Sequence, residues 1–324
     1  MACSQYRAGS SASNAPCGAA TFHEGASPAK LIIVRNPMPL FLLLAWAVLA
    51  AVPSPGQTAA SIPPALAPAQ AQSLVERALA AELRSAQDTT HLMRYRLRKS
   101  SPRLTSTKEI VETRDGDVAR LVSLFDKPLS QADEQLEEAR LNALYSDPGR
   151  QRHRKQNEEG DMGIVLKLLR MLPHAYLYQY AGAGSGPAGK VEKFTFRPNP
   201  AFSPPDFETQ ALTAMTGEIW IDPVQERVTR LEGHLQQDTD YGWGILGRLD
   251  KGGWIVIEQA GVVGRQWRIA RFKMQMNLRV LFKTRNIDTT EEMTQYAPAP
   301  AGINYRQAIQ MLRTGEWSTG QGSR

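Results

Sequence analysis

The chain has 324 residues, with 38 Lys and Arg against 32 Asp and Glu, a net charge of +6. Residues 1–60 hold Arg7, Lys30, Arg35 and Glu24, so the remainder carries +4, too little for the strongly basic face that nucleic acid demands. The two cysteines, Cys3 and Cys17, both lie in the first 60 residues, which excludes disulfides and thiolate metal sites from the rest.

Leu40 to Val52 is a charge-free apolar run. It is shorter than the roughly 20 residues of a spanning helix. Pro53, Ser54, Pro55 and Gly56 follow at once. That is the pattern of a secretory signal, placed at 38–60, with cleavage expected between Val52 and Ser61. A retained signal anchor is the alternative. Residues 1–37 read as a disordered extension, or as sequence ahead of a true start at Met38. No cysteine follows the apolar run, so a lipid-anchoring signal is not expected.

Residues 61–71 read as a Pro/Ala-rich flexible leader. Leu74, Val75, Ala78, Leu79 and Leu83 recur at helical spacing and predict a helix over 72–86. Alternation at Met93, Tyr95 and Leu97 begins a meander over 92–99, 104–114 and 118–125, with Asp115-Gly116 as a hairpin turn. A helix follows over 128–145, capped by Ser130. The charged stretch 147–160 reads as a loop or an exposed helix end. An apolar helical stripe from Ile164 to Leu172 is expected to stop at Pro173. A strand at 175–180, a Gly-rich connection at 181–189 and a strand at 191–196 come next. Strands are then expected at 217–222, 227–234, 245–250, 253–259, 266–274 and 279–285, with a short helix at 303–312. One α+β domain over 72–312 and a disordered tail at 313–324 complete the expected organisation.

Little of this carries catalytic chemistry. Gly184 to Gly189 matches GxGxxG in letters, but Pro187 lies inside it and a strand pattern follows, where a nucleotide fold needs a helix. His91, His153, His174 and His234 have no metal-ligand spacing. Asp238 and Asp240 read as a polar loop. No catalytic residues, metal or cofactor are therefore expected. Trp220, Trp243, Trp254 and Trp267 concentrate in the C-terminal strand region. With Phe272 and Met274 they are candidates for lining an apolar cavity, and ordinary strand packing is the other reading. Period-two alternation places Ala270, Phe272, Met274 and Met276 on one face and Arg271, Lys273 and Gln275 on the other. Arg265, Arg268, Arg271 and Lys273 are candidates for a basic rim; a solvated sheet face is the alternative.

The segment Gly217-Glu-Ile-Trp-Ile-Asp222, then Arg227-Val-Thr-Arg-Leu231, the Lys251-Gly252 turn and the strand opened by Trp267 resembles the LolA-like superfamily of extracytoplasmic lipoprotein carriers. The similarity rests mainly on residues 215–296. It implies a strongly curved antiparallel sheet, a half-barrel, with helices covering its concave face. It further implies a non-enzymatic protein of the cell envelope, in the periplasm of a Gram-negative-type bacterium, that binds a lipid or acyl group. Two alternatives remain at this point. One is a structural or regulatory protein whose cavity is filled by its own helix and which contacts an envelope protein. The other is a hydrolase without a recognisable signature. No nucleic-acid partner is expected, and no membrane span after signal cleavage.

Overall fold

A computed structural model describes residues 66–186, 189–241, 247–263, 266–280 and 283–315. All belong to one unit, Ser61–Arg324. The signal segment, the first 37 residues, Trp243 and Arg265 lie outside the described residues. No described helix is long and apolar enough to cross a membrane.

The described chain runs α1 (Pro68–Ala86), β1 (Met93–Ser100), β2 (Thr105–Val111), β3 (Val118–Leu124), β4 (Lys127–Pro128), α2 (Gln131–Ser146) and α3 (Pro148–Ala175). It continues with β5 (Tyr176–Gly186), β6 (Gly189–Pro198), α4 (Phe207–Gln210), β7 (Met215–Asp222), β8 (Arg227–Leu235) and β9 (Thr239–Tyr241). Last come β10 (Gly247–Leu249), β11 (Trp254–Gly261), β12 (Trp267–Val280), β13 (Lys283–Pro298) and α5 (Tyr305–Thr314). The described strands form one large antiparallel sheet in the order β4-β3-β2-β1-β13-β12-β11-β8-β7-β6-β5, with β10 pairing β12 and β9. The sheet is curved and open, and with its helices makes an α+β fold.

Two apolar clusters hold helices to this sheet. α1 buries Leu74, Val75, Ala78 and Leu79 against Phe194, Phe196, Ile219, Ile221 and Val228, joined by Leu168, Met171 and Leu172 of α3. At the other end, Leu141 and Leu144 of α2 meet Ala308, Ile309 and Leu312 of α5 over Val111 and Val118. α2 also closes the sheet edge. Glu137 Oε1 accepts the Leu121 N–H at 2.8 Å, and Arg140 Nη2 donates to the Ala119 carbonyl at 2.5 Å. These are β3 backbone groups that an exposed edge would leave open to another chain.

Several expectations change in space. α1 begins at Pro68, inside the stretch read as a leader, and Ala71 is buried. The stretch 147–160 is the first half of α3, one helix of 28 residues. Asp147 caps it by accepting the Gly149 and Arg150 N–H groups, and Pro148 occupies the first turn, where its missing N–H costs nothing. The polar side chains that suggested a loop hold the β2–β3 hairpin instead. Gln151 Nε2 donates to the Asp115 carbonyl at 2.8 Å and Lys155 Nζ to that of Arg114 at 2.9 Å. The helix runs past Pro173 to Ala175. β5 runs through most of the Gly-rich connection to Gly186. The strand expected at 279–285 is the junction of β12 and β13. β13 itself, sixteen residues in the middle of the sheet, had no expected counterpart.

The hairpin under α3 contains a titratable device. Asp117 is half-buried beside Glu112 and Glu158, and desolvation first, then these carboxylates, push its pKa up to about 7 from 3.8. A carboxyl that holds its proton more tightly when folded stabilises the fold at low pH. That contribution is lost as pH rises from about 4 to about 7. Asp117→Asn is therefore expected to melt higher than the wild type at pH 8, with the gap closing below pH 4. Thermal melts across that range check this; a gap independent of pH would contradict it.

Candidate functional site

The sheet places direct cross-strand partners on a common face. One such row crosses eight strands: Phe194, Ile219, Leu231, Ile257, Phe272, Glu291, Lys99 and Ser106. Phe194 and Ile219 are fully buried under α1 and α3, so this is the inner face. Moving across, Leu231, Ile257 and Phe272 are half-buried, and Lys99 is exposed. Ile255 and Met274 form a pair beside this row, and Leu97 and Met293 another. All four are half-buried. The result is an apolar strip on β8, β11, β12, β13 and β1, continuing from the cluster under α1 and α3.

The strip ends in charge. Lys99 Nζ lies 2.6 Å from Glu291 Oε1. Lys108, the partner of Leu97 on β2, shares the inner face. Burial first, and then Arg140, lower the pKa of its ammonium group. Lys108 itself is exposed, and a cation whose charged form is disfavoured in this way favours an anion beside it. At the other end Trp267 is buried, with the Arg227 guanidinium 6.0 Å from its ring. Arg227 is fixed by Glu82 of α1 at 2.9 Å.

The sequence-selected residues do not share one cavity. Phe272 and Met274 line the strip. Trp220 alternates with Ile219 and Ile221, and Trp254 with Ile255, so both indoles project from the outer face. Trp254 and Lys273 meet there in a cleft of about 300 Å³ with Arg230, Glu232, His234, Val256 and Glu258. Ala270 is the extra residue of a bulge between the partners of Glu258 and Gln259. Arg268 donates to the backbone carbonyls of Trp267 and His91. Arg271 lies on the outer face, within 3.4 Å of Glu258 and 3.5 Å of Glu292.

Arg271 belongs to an outer row of direct partners: Lys193, Trp220, Arg230, Glu258, Arg271, Glu292 and Arg98. Lys193 Nζ lies 4.0 Å and Arg230 Cζ 5.3 Å from the Trp220 ring centroid. Arg230 pairs with Glu258, and Arg98 with Glu292 and Asp126. The basic face expected from β12 alone is thus matched by glutamates from β11 and β13. The positively charged end of the strip comes from Lys99 and Lys108, which composition did not single out.

The histidines sit on separate elements. His91 contacts Asp88, His153 contacts Asn157, and His234 contacts Glu232, while His174 lines a cleft at the start of β5. Among the described residues no group of His, Cys, Asp and Glu is arranged to hold a metal ion.

The sequence matches no protein-family model and no curated protein. Three solved structures are similar in fold, each at 10% identity. A putative outer membrane lipoprotein-sorting protein domain from Vibrio parahaemolyticus aligns over 75% of this chain and 99% of its own, with a TM-score of 0.29. A LolA superfamily protein from Nitrosomonas europaea aligns over 71% and 93%, with a TM-score of 0.26. A DUF1329 family protein from Desulfovibrio piger aligns over 72% and 95%, with a TM-score of 0.27. At this distance no residue role passes from them to this chain. The chain has an α+β fold with a large, curved, open antiparallel sheet, the architecture that the LolA-like resemblance of the sequence implies.

Proposed function

We propose that this is a non-enzymatic, extracytoplasmic protein of the cell envelope that holds an acyl chain on the inner face of its sheet. The observation that carries this reading is the inner row running from buried Phe194 through half-buried Leu231, Ile257 and Phe272 to the charged pair Glu291 and Lys99. A chain laid along it leaves water at about 25 cal/mol per Å² of apolar surface. Lys108 supplies a cation for an anionic head group. Export rests on the apolar run 40–52 and its Pro-rich flank. Thr289 and Gln259, also on this face, are the neutral polar groups that would orient the ligand, as in most apolar pockets.

N-Phenyl-1-naphthylamine is expected to bind the native protein with a Kd on the order of 1 µM, and palmitate to displace it. Ile257→Trp and Met274→Trp, which fill the strip, are expected to weaken binding at least about tenfold. Trp254→Ala, on the outer face, is expected to leave it unchanged. Equal loss in all three variants would point away from the strip. Absence of binding by the folded wild type would favour a structural or regulatory role through protein contacts.

A further inference from the structure

The two edges of the sheet are treated differently. β3 is closed by Glu137 and Arg140 of α2. β5, at the opposite edge, has β6 as its single neighbour among the described strands. Its eleven residues, YLYQYAGAGSG, contain no charge and no proline. Charge, proline, a bulge or a covering element is how natural proteins protect such an edge. Among the described residues the protection amounts to one bulge, between Tyr180 and Gly182, which leaves Tyr176–Tyr180 as a regular run. A cleft of about 410 Å³ opens beside the start of that run, lined among others by Pro173, Leu177 and Phe202.

We infer that the free edge of β5 accepts an acidic peptide in extended conformation, which joins the sheet as an added strand. In this recognition mode the backbone supplies the hydrogen bonds, and pockets beside the edge take alternate side chains. The Pro173/Leu177/Phe202 cleft is placed for one apolar side chain of such a peptide. Charge selects the partner. β6, directly behind the edge, carries Lys190, Lys193 and Arg197 against one acid, Glu192. Glu192 accepts the Tyr180 hydroxyl at 2.6 Å. Lys193 lies over Trp220, and none of the three cations is in an ion pair among the described residues. Gly184 leaves room for the Lys193 stem to lie across β5. Lys193 and Arg197 share the outer face of β6, whereas Lys190 lies on the opposite face with Phe194. A second copy would bring the same cations toward the outer-face pair, whereas glutamates on one face of an added strand would meet that pair. The inference is independent of the acyl-chain reading, because the strip begins at β8, three strands away from β5.

Fluorescence anisotropy of the full chain with labelled ten-residue peptides tests this. A peptide of alternating glutamate and valine is expected to bind. Its counterparts with lysine for glutamate, or with proline for valine, are expected to bind at least about tenfold more weakly, because one lacks the charge and the other cannot pair as a strand. K193E/R197E alters two side chains on the outer face of β6 and is expected to fold normally and to reverse the preference between the glutamate and lysine peptides. Four outcomes would overturn the inference: no binding by the wild type, equal binding of the proline peptide, a preference unchanged in K193E/R197E, or a dimer of the chain itself that holds β5 and excludes the peptide.

Discussion

Gly217→Ala is expected to cost about 3 kcal/mol, among the largest effects of any single methyl group in this protein. Gly217 lies on β7 opposite Gly233 of β8 and beside Phe196 of β6. A Cβ there would overlap the Glu232 carbonyl oxygen and lie 2.8 Å from Phe196 Cζ. The first obstacle is backbone held in the sheet ladder, and the second is a buried ring of the main cluster. Neither can yield without moving a strand. Gly233 provides the comparison. A Cβ at that position meets chiefly the Met215 side chain, whose thioether can rotate away. Gly233→Ala is therefore expected to lose clearly less. Urea titrations of both variants measure this. Equal, small shifts in midpoint would show that β7 and β8 can separate at little cost.

Glu82→Ala is expected to lose about 3 to 5 kcal/mol, the cost of leaving a buried charge without its partner. Glu82 projects from α1 onto the inner face and is buried. Its two oxygens accept from Arg227 Nε and Nη2, each at 2.9 Å, from the Val228 N–H at 3.0 Å and from Gln259 Nε2 at 2.9 Å. Removing the carboxylate strands all four donors, and the Arg227 guanidinium near Trp267 loses its counter-charge. Arg77 and Glu226 form a control. Their pair is as short, at 2.7 Å, but exposed, so Glu226→Ala is expected to cost less than about 1 kcal/mol. Thermal melts of the two variants would show the contrast; similar losses would mean that α1 is not anchored through Glu82.

These two sites differ in how far a sequence reveals them. Gly217 sits in the segment Gly217–Asp222 that carried the resemblance, and its strand was legible from alternation. Glu82 was one polar residue in an amphipathic helix. Its role depends on Arg227 and Gln259, far along the chain, being brought beneath that helix. Local signals specified whatever depends on near neighbours. Examples are the β1–β3 meander with its Asp115-Gly116 turn, the Ser130 cap of α2, the β7–β8 hairpin and the alternation that puts Phe272 and Met274 on one face. They also show a charge-free apolar run over 40–52 and no cysteine beyond Cys17.

Tertiary structure decided the rest. β13 carries KTRNIDTTEEMTQYAP, a polar composition that reads poorly as a central strand. It is tolerated at the centre because Glu292 meets Arg98 and Arg271, and Glu291 meets Lys99. Those partners come from strands that composition alone could not align. The charged first half of α3 was likewise illegible, since its polar side chains are satisfied by carbonyls of a distant hairpin. Most consequentially, alternation states that two residues lie on opposite faces without saying which face the helices cover. The packing of α1 on Phe194 and Ile219 settled that choice, turning Trp220 and Trp254 outward and Phe272 and Met274 inward.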